Sequence, residues 1–554
     1  MPSIDFRDVP LSSDGFSKLF ADYIYDFPRV KHFYNSDFHS LDSIPELVES
    51  SRKRADHREA LAEILLEQNK LFGCSEKTFG NIDLLRRENT FCVVTGQQVG
   101  ILGGPLYTVY KIFSALKLVA ALNEKFPQFK FIPVFWLEGE DHDFEEANHI
   151  TLLDHDNNPA RLEYLVDGKP LDRNVGAVGE LTFDVQIDRL LERVAQTLPG
   201  TEFRTSLLET VRRAYSSGQT FNQSFVRWVV QLLTNAASAH EMDTGLVFVS
   251  ANEKRIKRML SPIFMKELNE FPRTSRQIID QSAILEKEYH AQIKPRAINL
   301  FLFHKGGRYL IEPRENDFSL KGTRHFPTRD ELLSIAEQTP ELLSPNVVLR
   351  TICQDSLLPT VVYVAGPSEI AYFAQLKPVY EYYGVAMPMI YPRASATIVE
   401  QKIHSMLEKY QLDVVDLFGN PEKLRTRVVE QLSEVNLDEL TAQGASRVHE
   451  ALSEMRFGLT HIDPTLSGVL ETTQSKIDSQ FHILHEKAKA AQRRKHDIVL
   501  KQIEKGFHNI YPNGNFQERE LNILHFMNKY GSDFPRWLFQ RLDLDPLGHQ
   551  VIEL

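Results

Sequence analysis

The sequence predicts an α/β protein that combines a parallel sheet with a long C-terminal helical region. Two short apolar runs, 91–94 and 131–137, are bounded by turn-forming residues, as expected of strands buried on both faces. Between them, apolar residues recur at three- and four-residue steps over 109–120, which predicts a helix. Strand, helix and strand in this order form a βαβ unit with parallel strands.

A second segment repeats this order later in the chain. The run 360–364 predicts a buried strand, and 366–369 opens a helix directly after it. Strands are also predicted at 245–250 and 299–304, so we expect the sheet to resume there. The intervening sequence from 151 to 240 is polar and rich in turn residues, which favours an inserted module.

The C-terminal half of the sequence predicts a coiled coil. Over 464–508, apolar residues mostly alternate four- and three-residue steps, and such a helix would extend about 65 Å at about 1.5 Å per residue. Two partners fit its apolar seam: the upstream segment 448–462 in an antiparallel hairpin, or a second subunit. We expect a homodimer built on this arm.

These patterns divide the chain into five segments. A helical lead-in and the first part of the core are expected at 1–150, and the inserted module follows at 151–240. The second part of the core is expected at 241–393, with a small insertion near 321–343. A helical coiled-coil arm is predicted at 394–510, followed by a tail at 511–554 that packs on the core.

The composition is that of a globular protein whose ligands are small molecules. The 554 residues are 42% hydrophobic and 25% charged, which predicts about two to four domains. A formal net charge of -12 opposes binding to nucleic acid or to an anionic membrane. Three cysteines favour a reducing compartment, and neither a secretory signal nor a spanning apolar run occurs, so we expect a cytoplasmic protein.

The first candidate site is the turn that follows the strand at 91–94. Its candidate ligand-binding residues are Thr95, Gly96, Gln97, Gln98, Gly103 and Gly104. Glycine lets the backbone approach a ligand closely, and free N–H groups at a helix start favour an anion. The spacing matches neither a phosphate loop nor a dinucleotide fingerprint, so a ligand cradle and a simple tight turn are alternatives.

The second candidate site is an acidic cluster after the strand at 131–137. It runs from Glu138 to Asp143, and its candidate catalytic residues are Glu140, Asp141, His142 and Asp143. These acids would repel one another unless they were solvated, paired or arranged around a cation, and a solvated loop is the alternative. Neither H-E-x-x-H nor paired cysteines occurs, so we expect no tightly bound metal; Glu140 or Asp141 suits a transient magnesium ion.

The second strand–turn–helix segment supplies further candidates for ligand binding. They are Arg350, Gly366, Ser368, Glu369 and Arg393. Ser368 is suited to cap a helix or to donate its hydroxyl to a ligand, and Arg350 is suited to bind a carboxylate or a phosphate. For each of them a structural role is the alternative. Because ligands gather at the carboxyl ends of parallel strands, we expect the polar clusters to converge.

Four blocks of the sequence together resemble the bacillithiol-synthesis cysteine ligase family. They are TGQQVGILGGPLYTVYK at 95–111, FWLEGEDHDFEEANH at 135–149, GPSEIAYFAQL at 366–376 and PNGNFQERELNILHFMNKYG at 512–531. The resemblance covers essentially the whole chain in the right order. It implies a Rossmann-like core related to nucleotidyltransferases and class I aminoacyl-tRNA synthetases, connecting-peptide insertions, and a long coiled coil that forms a dimer.

The resemblance also implies a reaction, in which the carboxyl group of cysteine is joined to the amine of glucosaminyl malate. A free carboxylate does not acylate an amine at neutral pH, so we expect ATP with Mg²⁺ to activate it. The glycines and glutamines of 96–104 would then shape the ligand cradle, and His142 would stabilise charge at the activated carboxyl. Glu140 or Asp141 would hold magnesium or the attacking ammonium.

On the same hypothesis, Arg350, Ser368 and Glu369 would position cysteine or the malate glycoside. Two other functions fit the motifs. One is a nucleotidyltransferase-like enzyme that acts on a small acceptor and releases pyrophosphate without cysteine. The other is a noncatalytic scaffold whose coiled coil organises partners, although an idle cleft has little need for so many acids.

Overall fold

The computed structural model describes residues 2–10, 16–52, 58–168, 174–234, 242–315, 317–433 and 435–554. The strands are β1 (Ser3–Ile4), β2 (Thr90–Gln98), β3 (Lys130–Glu138), β4 (His149–Leu153), β5 (Pro159–Glu163), β6 (Val247–Ser250), β7 (Leu300–His304), β8 (Gly307–Arg314), β9 (Asp317–Leu320), β10 (Leu343–Pro345), β11 (Thr360–Ala365), β12 (Met389–Pro392), β13 (Ser395–Val399) and β14 (His549–Glu553).

The helices begin with a group in the N-terminal part of the chain and end with a group after the long arm. They are α1 (Lys18–Tyr25), α2 (Phe27–Val30), α3 (Ile44–Ser51), α4 (Arg58–Phe72), α5 (Glu76–Leu84), α6 (Leu106–Lys125), α7 (Phe144–Ala147), α8 (Gln186–Thr197), α9 (Arg204–Ala214), α10 (Phe221–Thr234), α11 (Lys254–Glu270), α12 (Arg273–Leu285), α13 (Arg329–Gln338), α14 (Val347–Leu357), α15 (Pro367–Phe373), α16 (Lys377–Tyr383), α17 (Gln401–Tyr410), α18 (Pro421–Leu432), α19 (Leu437–Ile462), α20 (Leu466–Lys495), α21 (Asp497–Ile510), α22 (Gln517–Glu520), α23 (Leu524–Tyr530) and α24 (Phe534–Arg541).

The core contains a five-stranded parallel sheet in the order β6-β3-β2-β11-β12. Counted along the chain, these strands have the order 3-2-1-4-5, which is that of a Rossmann-like fold. The α/β class and the Rossmann-like core are therefore confirmed. The direction of winding reverses between β2 and β11, so ligands are expected at the carboxyl ends of these two strands.

The βαβ unit forms as the apolar pattern predicts. β2 and β3 pair over their whole lengths, and nearly every side chain of either strand is buried. α6 joins them and packs against both strands, since Val109, Ile112, Phe113 and Leu116 are buried on it. This unit fixes the carboxyl end of β2 beside that of β3.

A separate antiparallel sheet has the order β10-β7-β8-β9. The expectation that the main sheet resumes is correct for 245–250, because β6 pairs with β3, and wrong for 299–304, which forms β7. The reason is the turn between β7 and β8, where Lys305 and Gly306 have φ values of 48° and 81°. Two such residues make a tight hairpin, which joins antiparallel strands only.

The chain divides into two compact units. The core unit comprises residues 1–398 and 515–554, and the arm unit comprises residues 399–514. Within the core unit, β14 lies between β1 and β13, so the two ends of the chain share one small sheet. In the described part of the chain, no helix has both the length and the apolar character needed to cross a bilayer.

The arm unit contains the predicted coiled-coil segments as an antiparallel pair, α19 and α20. Thr441 contacts His485 at 3.2 Å and His449 contacts Asp478 at 2.6 Å, which fixes the opposite directions of the helices. The intrachain hairpin, one of the two pairings that the sequence allows, is therefore formed. The expectation of one helix over 464–508 is wrong, because the backbone leaves helical geometry at His496, between α20 and α21.

Candidate active site

A cavity of about 340 Å³ lies at the carboxyl ends of β2, β3 and β11, beside the point where the winding reverses. It is lined by Gly96, Gln97, Gln98, Tyr107, Lys111, Glu138, Glu140, Asp141, Glu146, Arg308, Pro345, Asn346, Val347, Arg350, Tyr363, Gly366, Pro367, Ser368, Glu369, Arg393 and Arg519. The candidates from the sequence that it brings together are Gly96, Gln97, Gln98, Glu140, Asp141, Arg350, Gly366, Ser368, Glu369 and Arg393.

Three candidates from the first turn have structural contacts instead. Thr95 is buried and its hydroxyl donates to the carbonyl of Val364, which ties β2 to β11. Gly103 has a φ of 87°, and a Cβ there would lie 2.8 Å from the indole nitrogen of Trp228. Gly104, with a φ of 69°, lines a second, smaller cavity.

The floor of the main cavity depends on a close approach of β2 to β3. A Cβ on Gly96 would lie 2.8 Å from the carbonyl oxygen of Trp136, so only glycine fits without displacing a strand. The ammonium of Lys111, from α6, donates to the carbonyl of Gly96 at 2.8 Å and to Oε1 of Gln97 at 3.0 Å. The helix of the βαβ unit thus fixes the end of its first strand.

Lys111 also forms a buried ion pair with Glu369 of α15. Burial disfavours the charge of Glu369, but Lys111, the N–H of Gly366 and the hydroxyl of Tyr363 outweigh it and lower the pKa of the carboxyl. The Glu369 carboxylate is therefore ionised at neutral pH. It connects the helix after β11 to the helix after β2 across the cavity wall.

Glu138, the last residue of β3, faces Arg350 of α14. Their Oε1 and Nε atoms are 2.8 Å apart, and Arg350 also donates to the hydroxyl of Tyr372 at 2.7 Å. Burial raises the pKa of Glu138 to about 7; Arg350 opposes this shift, while Asp141, Glu140 and Glu369 add to it. This carboxyl therefore exchanges its proton near neutral pH.

Within the acidic cluster, Glu140 is paired with Lys257, a fully buried lysine of α11. The Lys257 ammonium also donates to the carbonyl of Leu343 at 2.8 Å, and the hydroxyl of Ser344 donates to Oε2 of Glu140 at 3.3 Å. The prediction that acids so close together require partners is thus met by a cation that lies more than a hundred residues later in the sequence.

Asp141 and His142 are both in contact with Arg308 of β8. The guanidinium nitrogen Nη1 lies 3.3 Å from Oδ1 of Asp141 and 3.2 Å from Nδ1 of His142. Burial opposes ionisation of Asp141, but His142 and Arg308 outweigh it and lower the pKa to about 2. His142 does not line the cavity, and Asp143 caps α7 by accepting from the N–H of Glu146.

The C-terminal segment completes the cavity wall. Arg393 is buried and its guanidinium donates to Glu518 at 2.6 Å. The next residue, Arg519, lines the cavity and forms no ion pair with any residue that the structure describes. Arg519, Tyr107 and Glu146 also line the second cavity, of about 250 Å³, so the two spaces share one wall.

Sequence reasoning missed several side chains of the site: Tyr107, Lys111, Glu146, Lys257, Arg308, Tyr363 and Arg519. Lys111 carried a usable signal, because it is a cation within the apolar run of α6, in the second turn of this helix after the glycine-rich segment. Glu138, which ends β3, belongs to the predicted acidic cluster but was not among its candidate catalytic residues. Arg308 and Lys257 gave no such signal, since their partners are set by the tertiary fold.

The carboxylates suggested for magnesium are engaged by cations, Glu140 by Lys257 and Asp141 by Arg308. Over the residues that the structure describes, no three or more His, Cys, Asp or Glu side chains are grouped so as to hold a metal ion. The glycine turn and the cavity cations remain suited to an anionic ligand.

Two family descriptions match the sequence and together span almost all of it. Residues 4–394 match "Bacillithiol biosynthesis BshC, N-terminal Rossmann-like domain". Residues 396–554 match "Bacillithiol biosynthesis BshC, C-terminal coiled-coil domain". The boundary between the matches lies close to the boundary between the core and arm units at residue 398.

The sequence is also similar along its whole length to proteins named "Putative cysteine ligase BshC". The relative from Salinibacter ruber is 38% identical over 550 residues, with 99% of this chain and 98% of the relative covered. The relative from Chloroherpeton thalassium is 35% identical, with 98% and 97% covered. The relative from Chlorobaculum tepidum is 36% identical, with 100% and 99% covered.

Proposed function

Because this chain belongs to the bacillithiol biosynthesis BshC family, we propose that it joins the carboxyl of cysteine to the amine of glucosaminyl malate, the last step of bacillithiol synthesis. The observation that carries this proposal is the cavity at the switch point of the parallel sheet, where cations alternate with carboxylates. Such a site suits two substrates that each bear an amine and at least one carboxylate.

Amide formation requires activation of the cysteine carboxyl, and ATP with Mg²⁺ is the proposed source. Residues Gly96, Gln97 and Gln98 lie where a ligand can approach the backbone at the end of β2. Lys111 and Arg350 are held rigidly by their partners, so they can stabilise negative charge that develops at the carboxyl without reorganising. Bound nucleotide would supply the leaving group.

Arg519 is evidence that the acceptor substrate is an anion. Its guanidinium has no carboxylate partner among the described residues, whereas Arg308, Arg350 and Arg393 each have one. Glucosaminyl malate carries carboxylates on its malate part, and a guanidinium binds a carboxylate through two parallel hydrogen bonds. We assign the malate end to the wall that the two cavities share.

We further propose that the protein is a cytoplasmic homodimer that pairs through the arm unit. Cys74, Cys92 and Cys353 are free and buried, which agrees with a reducing compartment. α19 and α20 leave large apolar side chains exposed, among them Met455, Phe457 and Ile462. Exposed apolar groups in such number on one hairpin are typical of a protein interface.

The test is incubation of the purified chain with glucosaminyl malate, cysteine, magnesium and ATP, with each omitted in turn, and mass spectrometry of the products. We expect the cysteinyl amide only in the complete mixture. Arg350→Met should abolish it, and Arg314→Met, which removes an exposed arginine on β8, should not. Pyrophosphate release without cysteine would indicate a nucleotidyltransferase instead.

Thermal unfolding with single ligands separates an enzyme from a scaffold. A ligand that binds the native state raises its apparent stability, so ATP, cysteine and malate added singly should raise Tm. If none of the three ligands changed Tm and no product formed, the protein would be a scaffold, and the proposal would be contradicted.

A further inference from the structure

Glu138 is a cavity carboxylate that is paired with a single cation. Its Oε1 is buried and lies 2.8 Å from Nε of Arg350, in an ion pair that lacks hydrogen-bond geometry. The side chain is 26% exposed, and it lines the cavity. Among the residues that the structure describes, none donates a hydrogen bond to Oε2, so this oxygen is available to a bound ligand while Oε1 stays beside Arg350.

Of the four other acids that line the cavity, three lack this freedom, and the fourth, Glu146, lies on α7 at the wall shared with the second cavity, not at the end of β3. Glu140 is held by Lys257 and Ser344, Asp141 by Arg308, and Glu369 by Lys111 together with two further donors. Each of these carboxylates is neutralised by a cation and further hydrogen bonds. Unlike these three, Glu138 combines burial, a single anchor and a pKa of about 7, which is the range that suits a general base at neutral pH.

We propose that Glu138 is the general base of the ligase reaction and accepts the proton that the attacking amine loses. This inference rests on the proposed function. An amine of this kind is largely protonated near neutral pH, and an ammonium has no lone pair with which to attack. A carboxylate at the end of β3 lies at the same edge of the sheet as the proposed ligand cradle at the end of β2.

In the proposed step, the acceptor amine displaces the activating group from the cysteinyl carboxyl. The nitrogen lone pair attacks the carbonyl carbon of the cysteinyl group that a nucleoside triphosphate has activated, and a C–N bond forms. The C–O bond to the phosphate-bearing leaving group breaks, and its electron pair leaves with that group. The proton from nitrogen passes to Oε2 of Glu138, which later releases it to water.

The test compares two acceptors in the wild type and in Glu138→Gln. Glutamine keeps the size of the side chain and an oxygen for Arg350 but cannot accept the proton. Glucosaminyl malate requires a base, whereas hydroxylamine is mostly unprotonated at neutral pH and traps the activated cysteinyl group without one. We expect amide formation to fall about 100-fold or more, and hydroxamate formation to change only a few-fold.

Glu145→Gln is the matched control, because its side chain is 87% exposed and does not line the cavity; it should leave both rates unchanged. In the wild type, kcat/KM for the amide should fall as the pH drops below about 7, because the base becomes protonated. Glu138→Asp should retain this contribution to the acidic limb, and Glu138→Gln should lose it and keep only the contribution from protonation of the acceptor amine itself.

The outcomes separate the two proposals. Equal losses with both acceptors in Glu138→Gln and in Glu138→Asp, with Tm unchanged, would leave the ligase function intact and overturn the role of base. Wild-type protein that makes neither amide nor hydroxamate from cysteine and ATP would overturn the ligase function, and the base with it. If Glu138→Gln lost amide formation with glucosaminyl malate but kept hydroxamate formation, the result would support both the ligase function and the role of Glu138 as base.

Discussion

Lys257 carries a charge that the fold encloses completely. Its side chain is fully buried, and its ammonium is satisfied by Glu140 and the carbonyl of Leu343. Removing one partner of a buried pair leaves an uncompensated charge, which costs about 3–5 kcal/mol. The pair therefore holds the acidic cluster in place only as long as both members are present.

We expect Lys257→Met to lower the free energy of unfolding by about 3–5 kcal/mol, measured by urea denaturation with tryptophan fluorescence. The double variant Lys257→Met with Glu140→Gln should recover part of the loss. Lys254→Met, at a lysine that is 69% exposed on the same helix, should cost less than about 0.5 kcal/mol. Equal effects at 254 and 257 would contradict the buried pairing.

Arg519 gives a second prediction at the level of one side chain. A hydrogen bond to a charged group contributes about 1.5–3 kcal/mol, so Arg519→Gln should raise KM for glucosaminyl malate about tenfold or more and leave KM for cysteine unchanged. Steady-state kinetics check this. With glucosamine that lacks malate, variant and wild type should perform alike, and a difference there would place the malate elsewhere.

The sequence predicted ten residues of the cavity lining and missed others for a physical reason. Gly96 and Glu369 belong to turns at strand ends, and such turns can be recognised from local pattern. Arg308 comes from a hairpin that the sequence also predicted, but its contact with Asp141 depends on how two sheets lie relative to each other. Long-range placement of this kind leaves no periodic signal in the chain.

At the level of elements, strands and helices were predicted more reliably than their pairing. The apolar run at 299–304 is a strand as expected, but its hairpin places it in a separate antiparallel sheet. The apolar pattern of the arm also predicted helices correctly, and they are α19 and α20. The turn at His496 was missed, because the apolar steps continue through it and neither glycine nor proline marks the break.

The exposed face of the α19 and α20 hairpin gives a prediction about assembly. Phe457 is 84% exposed, so Phe457→Glu removes apolar surface without disturbing a buried contact. We expect the dimer of the wild type to become a monomer at micromolar concentration, as measured by light scattering after gel filtration. Glu454→Gln, on the same helix, should remain dimeric, and a monomeric wild type would contradict the proposed assembly.

At the level of the whole molecule, the chain leaves the core unit and returns to it at neighbouring points. The side-chain amide of Gln517 accepts from the N–H of Ile398 at 2.8 Å and donates to its carbonyl at 2.9 Å. The arm unit is thus inserted between two residues of the core unit that are already in contact. An insertion at such a site places little constraint on the host fold.

We expect a chain in which residues 399–514 are replaced by a short glycine-serine linker to fold and to keep the thermal shift that ligands produce in the full chain. Circular dichroism and thermal unfolding check this. Deletion of 515–554 should abolish the folded core, because it removes Glu518, Arg519 and β14. If the variant without residues 399–514 were insoluble and the variant without residues 515–554 were soluble, the arm unit and not the C-terminal segment would be needed for folding, and this prediction would be wrong.

The position of β14 has a consequence for folding. β14 fills the place between β1 and β13, and it pairs Gln550 with Ser3, which lies far away in the sequence. Until β14 is in place, both neighbouring strands have an unpaired edge, and unpaired edges promote aggregation. Contacts between residues so far apart in the sequence form slowly. We therefore expect a chain shortened to end before residue 549 to aggregate or to depend on chaperones.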